Sequence, residues 1–67
     1  MSAKEIIIAI DAMGGDYGLE VTIPASLQAL KTNPNLKLIL AGDEAQILEA
    51  LKHHRVFNHP RLQIRHT

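Results

Sequence analysis

An α/β fold is predicted, with the element order β-α-β-α-β and a parallel sheet that forms one half of an open, doubly wound architecture. Three observations predict it. Ile6-Ile7-Ile8-Ala9-Ile10 is an uninterrupted apolar run, β-branched except at Ala9, and such runs belong to strands covered on both faces. A glycine-rich turn, Asp11-Ala12-Met13-Gly14-Gly15-Asp16-Tyr17-Gly18, follows it and leads into residues with helical spacing. A second apolar run, Leu36 to Ala41, again ends on a glycine and an aspartate before another helical pattern.

The first strand is expected over about residues 4–10. Ile23, Leu27 and Leu30 then recur at helical spacing, with Ala25, Ser26 and Ala29 small enough for close packing on a sheet, which predicts a helix over about residues 22–31. Pro24 fits that helix if it lies in the first turn, where its missing N–H has no partner to lose, and Thr22 then stands near the cap. Thr32-Asn33-Pro34-Asn35 stops the helix by composition. Leu36 to Ala41 is the second strand, interrupted only by Lys37. Asp43 followed three residues later by Gln46 is a capping-box pattern, so a helix over about residues 44–54 is expected, with Ile47, Leu48 and Leu51 as its apolar stripe. Lys52, His53, His54 and Arg55 crowd its carboxyl end, where positive charge suits the helix dipole. After a connection through Pro60, Leu62-Gln63-Ile64-Arg65-His66 alternates as a third strand over about residues 62–66. Two helices cannot cover both faces of three strands. Residues 1–67 are therefore read as the amino-terminal part of a single larger α/β domain.

Composition narrows the function classes. The chain has 67 residues and no cysteine, which removes disulfides, thiolate metal sites and a cysteine nucleophile. Its formal net charge is zero, so no overall basic field draws in nucleic acid or an anionic membrane. Tyr17 and Phe57 are the only aromatic residues, too few for base stacking, and no nucleic-acid partner is expected. The five apolar residues before Asp11 are too short for a signal-peptide core or a spanning helix, and a cytoplasmic location is the expectation.

The candidate site is the turn after the first strand. In open α/β sheets ligands bind outside the carboxyl ends of strands. Gly14, Gly15 and Gly18 allow positive φ and close backbone approach, successive N–H groups can form an anion cradle, and the next helix aims its positive end at the same place. The glycines do not form G-x-G-x-x-G, and no Gly-Lys-Ser/Thr occurs, so neither a dinucleotide fingerprint nor a Walker loop is present. Asp11 and Asp16 beside an anion need a reason: they hydrogen-bond loop N–H groups, meet a cation, or face basic groups from elsewhere. The plain alternative is a glycine turn whose aspartates only cap the backbone, as in a non-catalytic binding or interaction domain. A nicotinamide-dependent oxidoreductase, with Asp43 on a ribose hydroxyl, is a weaker alternative because the capping box already accounts for Asp43. No carboxylate has metal-ligand spacing with His53, His54, His59 or His66, so no metal site is assigned.

From Ile8 through Gly18, on through Val21-Thr22-Ile23-Pro24-Ala25-Ser26-Leu27-Gln28-Ala29-Leu30, and again at Leu38-Ile39-Leu40-Ala41-Gly42-Asp43, the sequence resembles the start of the bacterial PlsX family of phosphate acyltransferases, also called fatty acid/phospholipid synthesis proteins. The resemblance spans nearly the whole chain, about a fifth of a family member, and nothing specific is carried over beyond His53. It implies a Rossmann-like α/β/α sandwich similar to phosphate acetyltransferase and isocitrate dehydrogenase-like folds. It also implies transfer of an acyl group from acyl carrier protein to inorganic phosphate, giving acyl phosphate for phospholipid synthesis. A homodimer is implied, cytoplasmic and peripherally associated with the membrane and its acyltransferase, with no cofactor. On this reading Asp16 is the catalytic candidate and Asp11, Gly14 and Gly15 form the phosphate loop. The 67 residues alone are expected to be inactive.

Overall fold

The computed structural model describes residues 4–14 and 18–67. The elements run β1 (Ile6–Asp11), α1 (Leu19–Thr32), β2 (Leu36–Gly42), α2 (Glu44–His53) and β3 (Leu62–His66). All three strands are parallel in the order β1-β2-β3, with Ile6 opposite Leu36, Asp11 opposite Ala41, Leu38 opposite Leu62 and Gly42 opposite His66. The predicted α/β class and parallel βαβαβ half-sheet are what the chain adopts.

Both helices lie on one face. Ile23 of α1, Leu40 of β2 and Ile47 and Leu51 of α2 form one buried cluster with Ala12, and Leu30, Leu36 and Leu38 form a second. Register puts Leu36, Leu38 and Leu40 on the helix side and Lys37, Ile39 and Ala41 on the other, which no element among the described residues covers. The central strand is accordingly the buried one. β1 stands at the sheet edge, and Ile6, Ile7 and Ile8 remain 52%, 56% and 45% exposed, so the cover that their apolar run predicts on both faces is not supplied by these two helices.

Two expectations change. α1 starts at Leu19, three residues before the predicted position, because the Gly18 carbonyl accepts from Val21 and Thr22 N–H at 3.2 and 3.0 Å and so opens the helix early. Pro24 then sits inside the helix. It is tolerated there because it and Glu20, whose carbonyl loses its intrahelical donor, both face solvent. In α2, Ile47 and Leu51 are buried one turn apart, whereas Leu48, about 100° further round the helix, is 44% exposed and leaves the expected stripe.

Long-range side-chain bonds close the helix ends. The Arg61 guanidinium donates through Nη1 to the carbonyls of Asn33 at 2.9 Å and Leu36 at 3.0 Å, and through Nη2 to that of Leu30 at 3.0 Å. It thereby satisfies carbonyls at the end of α1 and the start of β2 with a single positive group. No helix among the described residues is long and apolar enough to cross a membrane.

Candidate functional site

The strand order sets the carboxyl ends of β1, β2 and β3 side by side, so Asp11, Gly42 and His66 mark one rim of the sheet. At the first of these ends the chain turns back immediately. Asp11 Oδ1 accepts the Met13 N–H at 3.1 Å, and the Asp11 carbonyl accepts from Gly14 N–H at 3.3 Å. Ala12, fully buried, donates its N–H to the Ala41 carbonyl at 2.9 Å and pins the turn to β2. Asp11 therefore spends one carboxylate oxygen on its own loop, which is one of the ways an aspartate can stand beside an anion site. Gly14 does not have positive φ, and a Cβ there would lie 3.3 Å from Asp11 Oδ2, a tight contact with an exposed side chain. Gly15 and Asp16 lie outside the described residues.

Gly18 has the special backbone. Its φ of 53° and ψ of −130° suit glycine alone, and as N-cap of α1 it brings no side chain to the first N–H groups of the helix. The amino end of α2 is built the opposite way. Asp43 Oδ1 accepts the Gln46 N–H at 3.1 Å, and Nδ1 of His66, reaching over from β3, accepts the Glu44 N–H at 3.0 Å. Protein groups thus occupy the positive end of α2, while no side chain among the described residues caps that of α1. Asp43 is a cap, and its geometry lends nothing to a ribose contact.

Residues 6–67 match the family model described as fatty acid synthesis protein. The chain belongs to that family. Among its curated relatives, proteins named phosphate acyltransferase are 51% identical over 64 residues in Legionella pneumophila (strain Paris), 48% over 62 in Shewanella pealeana and 44% over 62 in Tolumonas auensis. These alignments cover 96%, 92% and 92% of this chain but only 19%, 18% and 18% of the respective relatives. The chain thus spans about a fifth of the length of the relatives it matches. No solved structure matches it.

In this fatty acid synthesis family member the fold joins Asp11 and Gly14 in one turn and sets Gly18 at the start of α1. Sequence reasoning missed three participants at the same rim. His66 caps α2 from 22 residues away, and Arg65 shares the register line of Asp11 across Ala41. Met13 packs against Gly42. All three depend on strand order and register, which local spacing does not encode. A shallow groove of about 530 Å³ lies beside the start of α1, lined by Leu19 and by Ala45, Gln46, Glu49, Ala50 and His53 of α2.

Proposed function

We propose that the chain is the phosphate-holding amino-terminal part of an enzyme that moves an acyl group from acyl carrier protein to inorganic phosphate. The observation that carries this reading is the contrast between the two helix starts: α2 is capped by Asp43 and His66, while α1 opens on Gly18, with no capping side chain among the described residues. An oxyanion placed against the turn from Asp11 to Gly18 would meet backbone N–H groups and the positive end of α1. Family membership and the name phosphate acyltransferase borne by the relatives support the same ligand.

In the proposed reaction a phosphate oxygen attacks the thioester carbonyl carbon, the new C–O bond forms as the C–S bond breaks, and the phosphate proton passes to the departing thiolate. Acyl phosphate and free carrier-protein thiol result. This chain's part is to hold and orient the nucleophile, which lowers the barrier by fixing the attack geometry. Gly14 and Gly15 give close backbone approach, Asp11 fixes the turn, and Asp16 organises cations or donors around the reacting groups. The apolar groove beside Leu19 offers contact for the first carbons of the acyl chain. The product serves phospholipid synthesis, and the complete enzyme acts as a homodimer in the cytoplasm, peripheral to the membrane and its acyltransferase.

The test uses a graft: the full-length Legionella pneumophila relative with its matching segment replaced by residues 4–67 of this chain. With acyl carrier protein as donor, the graft releases free thiol only when phosphate is present. Phosphate also slows amide exchange at residues 11–14 and 18–22, with little change at Gly42 to Glu44. A folded graft whose thiol release is independent of phosphate, or whose two helix starts are protected equally, would refute the reading.

A further inference from the structure

We infer that Gly42 is a positioning residue for the β1–α1 turn and acts through Met13. The kinetic part of its test rests on the phosphate-holding reading above; the geometry does not. Gly42 is the buried last residue of β2, and a Cβ built on it would lie 2.6 Å from Met13 Cγ, 3.0 Å from Met13 Sδ and 3.4 Å from Ile47 Cδ1. Met13 therefore occupies the space in which a side chain at position 42 would stand. The nearest atom is Cγ, so a swing of the thioether tip does not clear it: Met13, 37% exposed, must either turn about χ1 or move its backbone.

Met13 is also held from its other side. Its N–H is bound by Asp11 Oδ1, and its neighbour Ala12 is buried with its N–H on the Ala41 carbonyl. Three consecutive turn residues are thus registered on the last two residues of β2. A shift of the Met13 backbone carries with it the Asp11 carboxylate that its N–H binds, and Asp11 Oδ2 borders Gly14. The glycine that ends the second strand consequently sets where the first strand's turn can lie. The competing account is that Gly42 serves only its own backbone, at a φ of 156°. The two accounts differ in whether Met13 matters.

A double-mutant cycle in the graft separates them. Gly42→Ala should raise the KM for phosphate about tenfold with kcat changed less, Met13→Ala should raise it about threefold, and the double variant should stay at or below about tenfold, since with Met13 cut back the methyl keeps only its contact with Ile47 and its backbone strain. Multiplying effects, about thirtyfold in the double variant, would mean independent roles and overturn the inference. Amide exchange at Ala12 reads the same coupling without any activity. It should quicken in both single variants, and Gly42→Ala should add less once Met13 is alanine than it does alone. Should Gly42→Ala fail to fold, Met13→Ala alone still decides: unchanged exchange at Ala12 overturns the proposal. A graft that shows the exchange coupling but no phosphate-dependent turnover would refute the proposed function and leave the positioning role standing.

Discussion

Removing the Arg61 guanidinium should loosen the junction between α1 and β2 more than any other single truncation outside the buried core. In Arg61→Ala three carbonyls lose a charged donor: Leu30 and Leu36 in half-buried surroundings, and Asn33 in an exposed one. Hydrogen bonds from charged groups are worth about 1.5–3 kcal/mol each, but water replaces the donor at Asn33 and reaches part of the gap left at the other two. The expected loss is therefore about 2–4 kcal/mol, below the sum of three bonds. Hydrogen exchange measured on the graft reads it directly. Asn33 N–H, bound to the Ala29 carbonyl at 2.9 Å, and Leu36 N–H, bound to the Asn33 carbonyl at 3.0 Å, report opening of this junction. Both should exchange about 30- to 900-fold faster in Arg61→Ala, at about 1.4 kcal/mol per factor of ten. Ile47, on α2, serves as the control. Arg61→Lys should recover less than half of the effect, because an ammonium cannot present the fork that spans three carbonyls. Exchange unchanged by alanine, or fully restored by lysine, would refute the account of Arg61 as a multidentate clamp.

Among the described residues the nearest atom to a methyl at Gly18 is the Met13 carbonyl oxygen at 3.9 Å, so the expected cost of Gly18→Ala, about 1–3 kcal/mol, is assigned to its φ of 53°. Urea unfolding and phosphate affinity of the graft should both weaken; a neutral result would mean that the turn adopts another conformation in solution. Asp16→Asn keeps the size and one oxygen but removes the charge, and acyl-phosphate formation should fall about a hundredfold, near 2.7 kcal/mol of transition-state stabilisation, with the fold intact. Near-normal turnover would make that aspartate a turn cap only. His66→Asn retains an acceptor near the Nδ1 position while His66→Gln places its amide further out, so exchange at Glu44 N–H should quicken in the glutamine variant alone. Equal exchange in both would remove His66 from the cap.

The sequence is most legible where structure depends on near neighbours. The apolar runs at Ile6 and Leu36 mark strands because their branched and apolar side chains suit extended backbone, whether buried as in β2 or largely exposed as in β1, and Asp43 with Gln46 marks a helix start because the bond closes within three residues. Pro24 misled the placement of α1, since proline argues for a helix start only where its i−4 carbonyl would otherwise be buried without a donor. The positive φ expected at Gly14 is absent, and what borders it instead is the Asp11 carboxylate, folded back by its bond to Met13 N–H. Arg61 and His66 were illegible as caps. Their acceptor and donor groups lie 31 and 22 residues away, and only the strand order brings them together.

Both of those caps arrive with the last strand. On a ribosome, Arg61 emerges 25 residues after Leu36, the strand residue it binds, which at about 5–20 residues per second is a delay of roughly one to five seconds. During that interval the end of α1 and the start of β2 exist without their clamp, and His66, later still, has yet to meet α2. The first βαβ unit is then a nascent chain with free strand edges, and the clamp on its α1–β2 junction forms only when β3 docks. Synonymous codon changes between residues 37 and 61 that lengthen the delay should therefore lower the yield of soluble protein without altering a single side chain.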